Sequence, residues 1–296
     1  MESKGAGGAL HSPESCRRNK MSDRSRPPFW QIYAHDDELR SPVEDSIETV
    51  EAAERYRDKN LTTLRKCEGQ ELLVHDIEQC SETRPCRRVL CPLCARRYRI
   101  WFAKKTLRWL HRSKHHRRPA KTLVVRMEQA SNWDLPMVSI GRLQDQLRKR
   151  LLRAAISRVI GGTEVSYNAR DNKWTAHFHL VIFGASDAAL KNFARKCKTD
   201  AIPRAVDEPK VLKNPVEQIT YLQKFSTYYR IGGFDDRGKG RAIPMKRDQM
   251  AALAKWTGTH PFEHFLILVG FRRNADGIHL TKKPAPSRPN TPPRRR

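Results

Sequence analysis

Two stretches rich in strand-forming residues, Thr163 to Tyr167 and Lys173 to Phe183, are separated only by the polar segment Asn168 to Asn172. A short polar segment between two such stretches predicts a β-hairpin. Its strands must be antiparallel, because a parallel pair would need a crossover of a dozen or more residues. We therefore predict an α+β fold in which this hairpin lies in a central antiparallel sheet with flanking helices.

Segments of regular periodicity surround the hairpin. The apolar run from Thr122 to Arg126 predicts a buried strand, and Lys210 to Lys213 a short edge strand. Apolar residues at helical spacing predict three helices: Ile140 to Ile160, which Gly161 and Gly162 would end, Ala185 to Lys198, and Pro215 to Arg230.

The chain divides by composition into four regions. Residues 1–40 are rich in Ser, Gly, Pro and charge, which predicts disorder. Residues 41–118 begin with an acidic helix that ends near Asp58 and continue into a basic, cysteine-rich segment. Residues 119–275 hold the predicted sheet and its helices. Residues 276–296 contain many prolines and a terminal run of arginines, and we predict a basic disordered tail.

The charge of the chain restricts its partners. It carries 58 Lys and Arg against 32 Asp and Glu, a formal charge of +26. Such an excess predicts a polyanionic partner, and nucleic acid is the most common one. No run of about 18 apolar residues exists, and the basic stretches lack a long apolar face, so a membrane partner is not expected.

The positive charge is concentrated in one block. Between Thr83 and Met127 there is no acidic residue. We predict that this block grips phosphates, although a solvated basic helix without a ligand is the alternative. The candidate DNA-binding residues are Arg87, Arg88, Arg96, Arg97, Arg99, Lys104 and Lys105.

The cysteines of this block predict a metal site. The first twenty residues contain no apolar core of a secretion signal, so we expect a cytoplasmic protein whose cysteines are reduced. A structural zinc site is then favoured over disulfides, although four thiols without metal remain the alternative. The predicted ligands are Cys80, Cys86, Cys91 and Cys94, with His75 or Cys67 as replacements for Cys80; Cys16 and Cys197 have no predicted role.

A second metal site is predicted on the hairpin. His177 and His179 lie two residues apart, so their side chains project from the same face of a strand. With the turn centred between residues 170 and 171, Glu164 faces His177 across the hairpin. Two imidazoles and a carboxylate suit Mg²⁺ or Mn²⁺ when phosphate oxygens and water complete the coordination. The alternative is an ordinary polar cross-strand pair.

The predicted helix from Pro215 to Arg230 carries a polar stripe. Glu217, Tyr221 and Lys224 are spaced so that they share one helical face, which Tyr228 extends. A tyrosine that attacks a phosphodiester needs positive charge beside the phosphoryl group, which Lys224 and a metal can provide. Glu217 is a candidate general base. An ordinary amphipathic helix is the alternative.

Three segments together resemble the rolling-circle replication initiators of small bacterial plasmids, which belong to the HUH endonuclease superfamily. They lie between about residues 80 and 230. The first runs from Arg88 to Arg97 and resembles a cysteine-rich signature. The second, Glu164-Val-Ser-Tyr-Asn followed by His177-Phe-His179-Leu-Val-Ile-Phe, is similar to the metal-binding strand pair. The third, Glu217-x-x-x-Tyr221-x-x-Lys224, resembles the nucleophile helix.

The resemblance implies an HUH fold and a single-strand DNA endonuclease. His177 and His179 would hold the divalent metal, Tyr221 would cut the strand and become linked to the 5′ phosphate, and Glu217 would serve termination. The expected partners are a plasmid origin and the host helicase and polymerase in a bacterial cytoplasm. An HUH-type transposase or relaxase uses the same chemistry. A zinc-containing nucleic-acid-binding regulator without catalysis is the rival from another class.

Overall fold

The structure is a computed structural model that describes residues 42–281, except residues 82, 113–118, 201, 203, 235–239, 259 and 275–276. Side chains at 230–234 and 240–241 are also outside the description. The predicted disorder of residues 1–40, the end of the predicted basic tail and the basic residues Lys114, Arg117 and Arg118 therefore lie outside the described residues.

An antiparallel sheet of five strands forms the centre of the molecule, in the order β4-β1-β3-β2-β7. The predicted hairpin, β2 and β3, occupies the middle of this sheet. β4 lies at one edge, as predicted for Lys210 to Lys213, and pairs with β1. The strands are β1 Lys121–Ala130, β2 Val159–Asn168, β3 Lys173–Ile182, β4 Lys210–Val211 and β7 Leu266–Val269. The predicted α+β class and central antiparallel sheet are confirmed.

Two short hairpins lie outside this sheet. They are β5 Tyr228–Phe234 with β6 Gly240–Pro244, and β8 Phe271–Asn274 with β9 Gly277–Leu280. The sequence assigned β9 to a disordered tail from residue 276, but its backbone pairs with β8. Ile278 of β9 is buried in the same cluster as Phe271 of β8, which explains why the last strand is ordered.

Seven helices pack around the sheet in the described part of the chain, besides a short helical segment at 42–45. Their bounds are α1 Val50–Leu64, α2 Glu71–Glu78, α3 Pro92–Arg112, α4 Ile140–Arg153, α5 Asp187–Cys197, α6 Pro215–Tyr221 and α7 Arg247–Thr257. Side-chain caps begin several of them; the hydroxyl of Ser139, for example, accepts a hydrogen bond from the backbone of Arg142 at 3.3 Å.

Three of the predicted helices have different bounds. The acidic helix predicted from Ser41 to Asp58 is interrupted after residue 45 and resumes as α1, which reaches Leu64. The helix predicted to end at Ile160 ends at Arg153, and the two glycines that should have ended it lie inside β2. The helix predicted to reach Arg230 ends at Tyr221, and Tyr228 begins strand β5 instead.

The hydrophobic core extends across the boundary that the sequence places near residue 118. Leu61 of α1 and Leu123 of β1 belong to one cluster of buried side chains. Phe102 of α3 belongs to a second cluster together with Val181 of β3 and Ile219 of α6. The cysteine-rich region and the sheet therefore share a core, and α3 packs directly against α6.

Candidate active site

The two histidines and the glutamate of the hairpin meet as predicted. Glu164 lies directly opposite His177 in the register of β2 and β3. The Glu164 Oε2 atom is 3.1 Å from His179 Nε2 and 3.6 Å from His177 Nε2. The two Nε2 atoms are 3.0 Å apart. All three ligand atoms can therefore reach one ion, and two histidines with one carboxylate leave further positions of a divalent metal open.

The surroundings of this trio orient His177 and shift the pKa values of Glu164 and His177. His177 donates a hydrogen bond from Nδ1 to the backbone carbonyl of Thr175 at 3.1 Å, which leaves Nε2 as the ligand atom. Burial alone would raise the pKa of Glu164, but hydrogen bonds with His177 and His179 and their charge lower that pKa to about 2. Burial lowers the pKa of His177, but the contact with Glu164 outweighs it and raises that pKa overall.

Tyr221 lies against these three side chains. Its ring meets the ring of His179 edge to face, with 5.1 Å between the centroids. The side chain is 46% exposed, so it remains accessible to a large substrate. The Lys224 ammonium lies 5.1 Å from the centroid of the Tyr221 ring and 5.2 Å from that of Tyr228. Lys224 thus approaches Tyr221 from the turn after α6, although not through the predicted helical stripe.

Gly162 explains how α6 comes so close to the sheet, and its neighbour Gly161 allows a similarly close approach of strand β3. A Cβ atom on Gly162 would lie 1.9 Å from the backbone oxygen of Leu222, the residue that follows Tyr221. Gly161 is as crowded, because its Cβ would lie 2.3 Å from the backbone oxygen of His179. The buried side chain of Gln223 donates to the Gly161 carbonyl at 3.0 Å and fastens the same contact. Because Gly161 and Gly162 were predicted to end a helix, this contact was not predicted.

Glu217 lies one turn before Tyr221 and is exposed. Its carboxylate accepts a hydrogen bond from the side chain of Asn214 at 2.9 Å. It borders, together with Tyr221, a cleft of about 750 Å³ that His179 also lines. Asp207, Lys210 and Lys213 also line this cleft. They come from the connection between α5 and α6, where no motif indicated a functional role.

Arg99 reaches α6 from α3. Its Nε donates to the backbone carbonyl of Thr220 at 3.2 Å, and its Nη1 donates to Glu48 at 2.5 Å. The Arg99 side chain is buried, so the contacts are shielded from water. Ser46 adds a hydrogen bond to the Thr220 hydroxyl at 3.3 Å. The helix end that carries Tyr221 is therefore held by the N-terminal region.

The other members of the basic block are more accessible, and several make contacts within the protein. Arg88 binds Asp76, with its Nε donating at 2.8 Å. Arg96 and Arg97 donate to the backbone carbonyls of Glu48 and Ser81. Lys104 lies 4.0 Å from Glu44, and the Lys105 side chain lies beside Gly277.

Arg87 is exposed at the cysteine cluster. Arg99 differs from the prediction, because it binds protein groups rather than lying open to a phosphate.

The four predicted cysteines form one cluster at the start of α3. The Sγ of Cys80 lies 3.5 Å from that of Cys94 and 3.6 Å from that of Cys91, and Cys86 lies 3.7 Å from Cys94. Tetrahedral zinc with bonds of about 2.3 Å would hold its sulfurs about 3.8 Å apart. The cluster therefore fits a four-thiolate zinc site. Cys67 lies elsewhere, with its thiol directed to the carbonyls of Thr63 and Arg247.

Backbone amides and neighbouring thiols shape this cluster. The N–H of Arg87 donates to Cys94 at 3.3 Å, and the N–H of Cys86 donates to Cys80 at 3.5 Å. Hydrogen bonds with Cys86 and Cys94, together with burial, raise the pKa of Cys91. Hydrogen bonds from Cys86 and Cys91 lower the pKa of Cys94. A bound cation would replace the remaining protons, because metals bind thiolates.

Comparison of the chain with protein-family models, with curated proteins and with solved structures finds no match. Across the described part of the chain, no helix combines the length and apolar character needed to cross a membrane. A function for this chain must therefore be inferred from the geometry of the two residue clusters and of Tyr221.

Proposed function

We propose that this chain is a metal-dependent endonuclease that nicks one strand of DNA with Tyr221 as nucleophile, on an HUH-type fold. The observation that carries the proposal is the contact between the ring of Tyr221 and the ring of His179, within a trio whose ligand atoms converge. A nucleophile beside a divalent metal is what phosphodiester cleavage by a tyrosine requires. The formal charge of +26 supports a polyanionic substrate.

The trio fits Mg²⁺ or Mn²⁺, which would be held by His177, His179 and Glu164. When bound, such an ion neutralises charge on the oxygens of the scissile phosphate. The Tyr221 phenol oxygen attacks the phosphorus, a tyrosine–phosphate bond forms, and the bond to the 3′ oxygen breaks. The phenol loses its proton and the 3′ oxygen gains one, so a 5′ phosphotyrosine and a free 3′ hydroxyl result. Lys224 stabilises the developing phenolate.

Glu217 suits the reverse half of the reaction. It is exposed, it lies one turn before Tyr221, and both line the same cleft. A carboxylate there can accept a proton from water or from a DNA 3′ hydroxyl that attacks the phosphotyrosine. No energy cofactor is needed for rejoining, since the phosphotyrosine conserves the energy of the broken bond.

The biological role that we propose is initiation of plasmid replication. A free 3′ hydroxyl at a double-strand origin would prime a host polymerase, with a host helicase unwinding the duplex, in a bacterial cytoplasm. The cysteine cluster would hold structural Zn²⁺ and present Arg87 and Arg97 to DNA. An HUH-type transposase or relaxase would share the nicking reaction, and the DNA sequence that is cut distinguishes these roles.

A nicking assay separates the enzyme from a zinc-containing regulator that only binds nucleic acid. Supercoiled plasmid that carries the cognate origin is incubated with protein and Mg²⁺ or Mn²⁺, with chelator as control. We expect open circles with protein attached to the 5′ end, and none with Tyr221→Phe. Tyr228→Phe is the matched control, because Tyr228 also lies beside Lys224. Cutting by Tyr221→Phe at the wild-type rate would refute the assignment and direct attention to Tyr228 or Tyr229.

A further inference from the structure

A second cleft also borders Tyr221. Its volume is about 350 Å³, within the range of small-ligand sites. Tyr221 and Glu217 line both this cleft and the larger one that contains His179. Since the histidines do not line the second cleft, it is distinct from the place where the scissile phosphate would bind.

Three tyrosines give the second cleft its character. Tyr56 from α1, Tyr221 from α6 and Tyr228 from β5 all line it. Tyr56 is 45% exposed, which is unusual for a side chain with so large an apolar surface. The cleft exists only because the N-terminal helices pack beside α6, so we name it the tyrosine cleft, defined by Tyr56, Tyr221 and Tyr228.

The charges in the tyrosine cleft favour a neutral ligand over a phosphate. Arg99 lines the cleft, but its guanidinium is already bound to Glu48. Glu217 lines it as well and would repel a second phosphate group. Lys224 is placed between the rings of Tyr221 and Tyr228. A flat, uncharged group that stacks on aromatic rings is therefore the best match to the lining.

We propose that the tyrosine cleft binds a nucleobase of the single strand that is cut, by stacking on Tyr56 and Tyr228. Aromatic side chains bind bases of any sequence this way, because every base has a π-face. The inference rests on the proposed function, because that function sets the path of the strand. The strand would cross Tyr221 and place one nucleotide in each cleft. The site would hold an unpaired base, so the strand must be single-stranded or extruded there.

Binding rather than cutting tests this inference. Fluorescence anisotropy compares a labelled oligothymidylate with a base-free deoxyribose phosphate of equal length, without added Mg²⁺ or Mn²⁺ so that cutting does not begin. We expect wild type to prefer the base-bearing strand, and Tyr56→Ala to lose roughly tenfold of that preference, in line with one stacked base. Tyr56→Phe, which keeps the ring, should retain it. An oligouridylate arm distinguishes DNA from RNA as the source of the base.

Trp133→Ala is the matched control, because Trp133 is 90% exposed and lines neither of the two clefts. The Trp133→Ala variant should prefer the base-bearing strand as strongly as wild type does. If Tyr56→Ala keeps the full preference for the base-bearing strand, or if Trp133→Ala loses as much, the inference is wrong. The two proposals can fail separately. If the protein prefers the base-bearing strand but never nicks DNA, only the proposed function is wrong. If it nicks DNA without preferring the base-bearing strand, only the base-binding site is wrong.

Discussion

The two residue clusters that suit metals differ in how much of an ion they would enclose. Cys80, Cys86, Cys91 and Cys94 supply four ligands, which completes a tetrahedral coordination sphere. The hairpin trio supplies three ligands, and the exposed ring of Tyr221 lies beside them. A closed set of ligands stabilises structure, whereas an open one lets a substrate reach the ion. We therefore expect the cysteine cluster to stabilise the fold, and we propose that the trio takes part in the reaction.

We expect the largest effect on the nicking rate when the two histidines of the trio are removed. Replacing both His177 and His179 with Ala should lower the nicking rate at least roughly a thousandfold, because a metal contributes several kcal/mol to the transition state. Metal analysis should still find about one Zn²⁺ per chain. The control is His264→Ala, since His264 is exposed and pairs only with His260 among the described histidines. If zinc were lost together with activity, the two clusters would not be independent.

A change in the cysteine cluster should lower stability, whereas the change in the trio lowers activity. We expect Cys91→Ser to remove the zinc and lower the free energy of unfolding by about 4 kcal/mol, since loss of a structural metal is among the most costly changes. Thermal unfolding should shift by roughly 10 °C. Cys197→Ser, at a buried thiol outside the cluster, should retain the zinc. An unchanged melting temperature in Cys91→Ser would contradict the structural role.

Arg99 connects α3 to the end of α6, so its removal should lower both stability and the nicking rate. Arg99→Ala leaves the Glu48 carboxylate and the Thr220 carbonyl without their donor, which should cost about 3 kcal/mol of stability. Nicking should fall more than DNA binding, because α6 shifts while the phosphate contacts remain. Arg97→Ala removes a partly exposed charge of the same helix and should show the reverse pattern. Arg99→Lys should restore part of the rate. Equal losses of binding and cutting would identify Arg99 as a plain DNA contact.

Gly162 should be sensitive for a steric reason. Gly162→Ala places a Cβ against the Leu222 carbonyl, and overpacking of this kind costs about 2 kcal/mol. Because α6 must move away, the nicking rate should fall even where the protein is folded. Gly141→Ala is the control, since a Cβ there meets nothing within 4 Å. Wild-type nicking by Gly162→Ala would show that the contact does not position Tyr221.

The smallest effect concerns pH in the metal-free protein. The lowered pKa of Glu164 stabilises the fold above its ordinary value of about 4.3, and this contribution is lost as pH falls toward about 2. The raised pKa of His177 stabilises the fold below about 6.5, and this contribution is lost as pH rises through the folded pKa. Melting temperatures in chelator should therefore be higher at pH 5.5 than at pH 8. Excess Mn²⁺ should reduce that difference, since metal binding favours the deprotonated histidines.

The hairpin was predictable because strands have a strict period of two. That period fixed the shared face of His177 and His179, and the short turn fixed Glu164 opposite His177. The cysteine spacing identified the four cysteines that converge in the structure, although nothing local could separate Cys80 from Cys67. Both successes depend on residues that are close in sequence.

The failures involve contacts between distant segments. Tyr228 and Tyr229 satisfy helical spacing and strand preference equally well, and pairing with Ile243 and Pro244 decides for a strand. Gly161 and Gly162 weaken a strand in isolation, and their place in β2 follows from close approaches, by the backbone of His179 to Gly161 and by that of Leu222 to Gly162. The Arg99 contact to Thr220 joins residues 121 positions apart, and a basic helix gives no local signal for it.

The shared core has a practical consequence for anyone who wants a compact version of this chain. Because Phe102 of α3 is buried in the same cluster as Val181 of β3, trimming at residue 119 would expose apolar surface on the sheet. The same cut would remove the guanidinium that holds the end of α6. Val43 is buried in that cluster as well, so a portable fragment must include Val43 and carry the cysteine cluster with it.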